Sequence, residues 1–374
     1  MYATLLLDDG TVMEGEGFGH PGMAFGEAVF NTGMVGYAET LTDPSYGGQI
    51  LSITYPLVGN YGVPDPAETD PDGIPAHFES GRIQVRGLVV HDLSYTASHW
   101  NLAMTLDEWM YSQGISGITG VDTRSLTKRL RSQGVQMSAL AVSESPVDVE
   151  DLAERLASAP RYDTERLVEG ASAADHSGYG QGRNVVVLDV GAKNAILRHV
   201  TRMGYRAVRV PHDSDISDVM GYEPAGVVIS NGPGDPQHCT ETIRTARALM
   251  DRGVPLLGIC LGAQIIALAG NAQTYKLKYG HRGQNKSCLD VSTGMVYVTS
   301  QNHGYAISPD SLANSEFDLW FTNTDDDTVE GIRHRTRPCI AVQFHPEASP
   351  GPHDCGFVFE ELHRIMEDPR PAAK

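Results

Sequence analysis

This chain is short of positive charge: 28 Lys and Arg stand against 47 Asp and Glu, a formal net charge of −19 at pH 7. Phosphate backbones and anionic membrane surfaces are held by clustered Lys and Arg, so neither nucleic acid nor membrane is expected as a partner, and the acidic excess reads as a solvated surface. Cysteine is scarce as well. The five thiols, Cys239, Cys260, Cys288, Cys339 and Cys355, are odd in number and show no C-x-x-C spacing, which argues against a disulfide framework and a zinc site. No metal is expected. No window approaches the run of about 18 apolar residues that a membrane span needs, and the opening MYATLLLDDG lacks a basic stretch followed by a long apolar one. A cytoplasmic location is the default expectation. The phosphate loop G-x-x-x-x-G-K-[ST] is also missing: NGPGDP has no lysine after its glycines, and GEGFG falls in a hairpin rather than between strand and helix.

What is present is enough chain for two or three domains, 374 residues with 41% hydrophobic and 20% charged. Residues 1–145 read as a smaller α+β domain. A hairpin is expected around Asp9-Gly10, further strands in RIQVRGLVVHDLS, and a helix in VDTRSLTKRLRSQG, where Asp122 or Thr123 can cap and Leu126 and Leu130 share a face. The stretch 63–81, rich in Pro, Asp and Glu, reads as a surface loop. Residues 146–183 hold a short helix and then a small, polar, Gly-rich linker, EGASAADHSGYGQGR. From 184 to 374 apolar runs alternate with helical segments. That alternation predicts an α/β domain of right-handed βαβ units on an open, mainly parallel sheet with helices on both faces, followed by strands at hairpin spacing, the strand CIAVQF and a terminal helix.

One short stretch carries chemistry. In VPLLGICLGAQIIALAG (254–270) a single cysteine ends an apolar run just before a helix. A lone cysteine there is more often a small core filler than a nucleophile. Here Gly258 and Gly262 stand two residues to either side, the spacing of a nucleophile elbow, where bulkier neighbours would block the sharp turn. At the first turn of a helix, unpaired N–H groups and the dipole favour thiolate over thiol, and the Leu261 N–H points where a tetrahedral oxyanion would form. A second donor can come from the loop SNGPGDP, since loops at the carboxyl ends of neighbouring strands converge on one crevice. Of the 14 histidines, His345 is the best proton carrier, because it ends the strand CIAVQF on the same edge. Glu347 lies two residues on, on the same side of extended chain, so it can orient the imidazole. HPE taken alone can equally be a turn.

GICLGAQ, SNGPGDP, QNHGYA and HPEASPGP together resemble the motifs of class I, triad-type glutamine amidotransferases, over residues 184 to about 370. GEAVFNTGMVGYAETLTDPSYGGQILSITYPLVGNYG and GVDTRSLTKRLRSQG resemble the domain in front of the glutaminase in carbamoyl-phosphate synthetase small chains, so the likeness spans nearly the whole chain. The resemblance implies Cys260 as thioester-forming nucleophile, His345 as general acid and base, and Glu347 as its orienting residue. It also implies L-glutamine held by Ser45, Gly232, Gly234, Leu261, Gln264, Asn302, Gly304 and Tyr305. Because Ser45 falls in the leading domain, the transfer implies that both domains serve the site. Ala263 departs from the family, where many small chains carry histidine.

The implied activity is release of ammonia for carbamoyl phosphate, within arginine or pyrimidine synthesis. The implied partner is a carbamoyl-phosphate synthase large chain carrying the ATP and Mg of bicarbonate activation; this chain needs no cofactor of its own. The leading domain is the expected docking surface. The alternatives are a glutaminase subunit of another synthetase, a stand-alone γ-glutamyl cysteine hydrolase, and a catalytically dead scaffold, whose expected mark, a lost Cys or His, is absent.

Overall fold

A computed structural model of the protein describes residues 1–368, which divide into two units. The first unit comprises residues 1–68 and 75–165. Its alternating strands close on themselves as a barrel in the order Tyr2–Leu7, Val12–Gly19, Ser116–Thr119, Gly87–Val89, Gln49–Ile53, Gly22–Asn31 and Gln136–Ser143. Closure comes from antiparallel pairing of Tyr2–Leu7 with Gln136–Ser143, which removes the open sheet edge. The expected hairpin is present: Tyr2–Leu7 pairs with Val12–Gly19 across a turn in which Gly10 takes φ 82°. The helix Thr123–Gln133 is capped by Asp122, whose side chain accepts from the Ser125 N–H, and it buries Leu126 and Leu130. An α+β expectation did not include a closed barrel; closure depends on pairing residues about 140 positions apart, which local pattern does not reveal.

Two expectations about boundaries change. The helix Val149–Ser158, expected as part of a linking segment, buries Leu152 and Leu156 and belongs to the barrel unit, whereas Ser177–Tyr179 in the Gly-rich stretch forms an edge strand of the second unit. The acidic stretch 63–81 is not one surface loop. Residues 69–74 belong to the second unit, where Ile74 is fully buried, and Asp70 organises their turn by accepting from the Asp72 and Ile74 N–H groups.

Among the described residues, the second unit holds 69–74 and 166–368. Its ten-stranded sheet runs Ser177–Tyr179, Arg206–Pro211, Asn184–Asp189, Gly226–Ile229, Leu256–Ile259, Cys339–Val342, Val329–His334, Val296–Ile307, Thr274–Asp290, Phe317–Asn323. The five strands from Arg206–Pro211 to Cys339–Val342 are parallel, and the rest pair antiparallel, so the expected mainly parallel sheet is a mixed one. Strand residues alternate between two apolar cores. Val186, Leu188, Val227 and Ile229 pack with the helices Thr240–Asp251 and Leu261–Ala269; Val185, Val187, Val228 and Ile259 pack with Asn194–Arg202 and Phe357–Glu367. Burial on both faces is why these strands read as continuous apolar runs.

Candidate active site

The strand Leu256–Ile259 passes into the helix Leu261–Ala269 through one residue, Cys260, at φ 55° and ψ −106°. Positive φ in a residue with a Cβ is strained by roughly 1–3 kcal/mol and persists only where neighbours enforce it. Here they do: the Cys260 N–H donates to Val342 O at 2.9 Å and the Gly262 N–H to Ser230 O at 3.0 Å. A Cβ on Gly258 would stand 2.6 Å from Gly262 O, and one on Gly262 would stand 2.1 Å from Ile229 O. Both positions therefore require glycine, as the G-x-C-x-G spacing predicts. The Cys260 side chain is buried, with Sγ 3.6 Å from Asn302 O. Burial pushes the thiols of Cys239, Cys288, Cys339 and Cys355 up, which keeps them neutral packing groups.

His345 follows the adjacent strand Cys339–Val342, and its N–H donates to Ser300 O at 2.9 Å. Its Nδ1 lies 2.6 Å from Glu347 Oε1, while its buried Nε2 has no hydrogen-bond partner. Burial alone would make His345 harder to protonate; the charge of the Glu347 carboxylate, and that of Cys260 when it is thiolate, outweigh it and raise its proton affinity. Imidazole and thiol are thus close enough to act on each other. Burial opposes ionisation of Glu347 too, yet the charges of Lys193 and His345 hold it well below the usual carboxylate range.

Lys193 escaped sequence reasoning. Its Nζ sits 3.0 Å from Glu347 Oε1 and donates to Ala348 O at 2.7 Å and Ser349 O at 3.2 Å, nine-tenths or more buried. A lysine inside the apolar strand-to-helix junction VGAKNAIL was the available signal, since lysine is almost never fully buried unless paired.

The other proposed residues divide. Gln264 donates from Nε2 to Tyr305 O at 2.8 Å and to Gln343 Oε1 at 3.0 Å, tying the cysteine helix to the strand that also holds Asn302 and Gly304. Gly232 packs so tightly that a Cβ would lie 1.9 Å from Val190 O and 2.9 Å from Leu261 Cδ2. Gly234 takes φ 91°, where glycine is favoured. Ser45 belongs to the first unit, in the turn Pro44–Tyr46, with its N–H on Asp43 Oδ1 at 2.9 Å. Ala263 faces the apolar core.

Residues 186–365 match the family model for glutamine amidotransferase class-I, and residues 5–140 match the carbamoyl-phosphate synthase small chain, CPSase domain. A carbamoyl phosphate synthase small chain from Pyrococcus furiosus is 46% identical, with 97% of each chain covered. The chain belongs to the carbamoyl-phosphate synthase small-chain family. Small chains from Methanopyrus kandleri (45% identical, covering 97% of this chain and 98% of that one) and Listeria monocytogenes (42%, 97% and 96%) are similar over the same length. Within the family, the amidotransferase match falls on the mixed-sheet unit and the small-chain match on the barrel.

Proposed function

We propose that this protein is the glutamine-hydrolysing subunit of a carbamoyl-phosphate synthase and that Cys260, His345 and Glu347 perform the hydrolysis. The observation that carries the reading is the Cys260 thiol on its enforced elbow, within electrostatic reach of an imidazole whose other nitrogen is clamped by Glu347. His345 takes the thiol proton, and the thiolate attacks the side-chain amide carbon of L-glutamine. The C–S bond forms as the carbonyl π pair moves onto oxygen. That oxyanion is received by the N–H groups of Leu261 and Gly234; one such donor is typically worth on the order of 100-fold or more in rate. Collapse re-forms the carbonyl and breaks the C–N bond, with His345 protonating the leaving nitrogen to give ammonia and a γ-glutamyl thioester. Water, deprotonated by the same imidazole, adds to the thioester; expulsion of the thiolate yields glutamate. Glu347 keeps the Nδ1 proton in place and balances the imidazolium, and Lys193 balances Glu347. Gln264, Asn302, Gly304, Tyr305 and Gly232 form the proposed glutamine pocket in this unit.

Ammonia must stay unprotonated to act as a nucleophile, so the reading requires direct delivery to a large chain that uses ATP and Mg to activate bicarbonate. The test is glutamate release by the purified chain with and without a co-expressed large chain, for wild type and Cys260→Ser. Loss of release in the variant is expected, and release that survives it would overturn the mechanism. Turnover of γ-glutamyl peptides by the chain alone would favour a stand-alone hydrolase instead.

A further inference from the structure

The antiparallel arm of the second unit's sheet carries another buried group of histidines and carboxylate. His281 on Thr274–Asp290, His303 on Val296–Ile307 and Glu330 on Val329–His334 come from three strands, and His281 and His303 are direct cross-strand partners. They are 5%, 4% and 0% exposed, and one candidate ligand atom from each lies within 4.8 Å of the others.

The hydrogen bonds around them fix which atoms face inward. His303 Nδ1 is 2.8 Å from Tyr305 O, a group that can only accept, so Nδ1 carries the proton and Nε2 of the neutral ring is a bare lone pair. His281 Nε2 is 2.9 Å from Asp326 Oδ2, which likewise directs Nδ1 inward. The inward nitrogens lie 3.4 Å (His281) and 3.7 Å (His303) from Glu330 Oε1. Asn323 and Thr328 give that oxygen long hydrogen bonds, at 3.3 and 3.4 Å, and Asn323 Nδ2 is also 3.5 Å from His281 Nδ1. Glu330 Oε2 and His303 Nε2 have no hydrogen-bond partner although both are buried. Acceptors converging on one another in a space closed to water require a proton or a cation between them.

We propose that His281 Nδ1, His303 Nε2 and the Glu330 carboxylate bind one divalent metal ion of the zinc class. Two imidazoles and one carboxylate form a recognised donor set for such an ion. Metal-ligating imidazoles are held by a carboxylate or backbone carbonyl on the opposite nitrogen, the roles filled here by Asp326 and Tyr305 O. With bonds of about 2.0–2.2 Å, neighbouring donors around a tetrahedral ion sit roughly 3.3–3.5 Å apart; the two distances to Glu330, 3.4 and 3.7 Å, are near that, and the two imidazole nitrogens, within 4.8 Å of each other, draw together when the ion binds. The cysteine pattern, from which no metal was expected, is blind to such a site. The ion ties three strands together and pins His303, which immediately follows Asn302, whose carbonyl accepts from Cys260 Sγ, and directs its Nδ1 at the carbonyl of Tyr305 that also accepts from Gln264. Its existence does not depend on what the enzyme hydrolyses.

The test uses the full chain, purified without chelator. Metal content is measured by elemental mass spectrometry, Co2+ binding to the stripped protein by its visible spectrum, and the thermal midpoint with added Zn2+ and with chelator. About one bound equivalent per chain is expected, with a midpoint raised by Zn2+ and lowered by chelator. Glu330→Gln should abolish binding. Asp326 is 40% exposed, and asparagine keeps the oxygen that accepts from Thr328; Asp326→Asn should shift the stripped protein's midpoint less than Glu330→Gln does and weaken metal affinity by about 10–100-fold. Cys260→Ser should bind as wild type does. A wild-type chain with no metal and no Co2+ spectrum overturns the site and makes the cluster a proton-sharing ion pair. Binding that vanishes in Cys260→Ser yet is unchanged in Asp326→Asn also overturns it, because the ion then sits on the thiol.

Discussion

The second unit buries two carboxylates among histidines and balances them differently. Glu347 has a permanent cation, the Lys193 ammonium at 3.0 Å, beside its histidine. Among the described residues, the ion-pair partners found for Glu330 are imidazoles, His281 and His303, at 3.4 and 3.7 Å. A buried charge without a partner is strongly destabilising, so each carboxylate needs positive charge nearby. Where lysine supplies it, the histidine is left to exchange protons with a neighbour, as His345 must with Cys260. Where imidazoles alone supply it, the cluster depends on a proton or a metal ion, which suits a fixed strut better than a proton carrier.

The largest expected effect separates the clusters by chemistry. His345→Asn should lower kcat for glutamate release by on the order of 10²–10⁴-fold, the usual worth of a positioned acid–base group, and Glu347→Gln by less. Equal losses in Glu347→Gln and His345→Asn would contradict the orienting role of the carboxylate. Next comes stability. Lys193→Met should cost about 3–5 kcal/mol in urea unfolding by stranding a buried carboxylate, and adding Glu347→Gln should recover part of it; a neutral Lys193→Met would break the contrast between the clusters.

Acid sharpens the same point. The pKa of Glu347 is lowered from 4.5 to about 2, so its contribution to stability is full above 4.5 and is lost as pH falls toward 2. Burial opposes protonation of His345, but the Glu347 charge raises its proton affinity above the ordinary 6.5, so its contribution is full below 6.5 and is lost as the medium becomes alkaline. Unfolding midpoints across pH should fall at both ends, and the alkaline fall should shrink in His345→Asn. Gly262→Ala sets a Cβ 2.1 Å from the backbone Ile229 O and is expected to cost at least about 1–3 kcal/mol, the usual overpacking range. Asp122→Ala lies outside both clusters and should cost about 1 kcal/mol, a lost helix cap, while leaving glutamate release unchanged.

Legibility followed distance along the chain. The elbow was readable because Gly258, Cys260 and Gly262 act on one another within five residues, and the His345–Glu347 pair because the two residues are near neighbours, although HPE forms a turn closed by the Ala348 N–H on His345 O rather than the extended backbone expected. Lys193 was missed because it meets Glu347 only when strands more than 150 residues apart are laid into one sheet. The barrel closure was missed for the same reason, whereas His281, His303 and Glu330 lie within about 50 residues of one another and were missed because only the strand register shows that they face one point.

By itself the sequence determined the local geometry: which residues turn, cap and alternate, where a thiol must leave the backbone at a strained angle, and which histidine can follow a strand end. Tertiary structure alone decided how buried charge is neutralised, drawing Lys193 to one carboxylate and two histidines to another. The physical reason is that periodicity and sterics act between near neighbours, whereas a charge removed from water is satisfied by whatever the fold brings beside it, however remote in the chain.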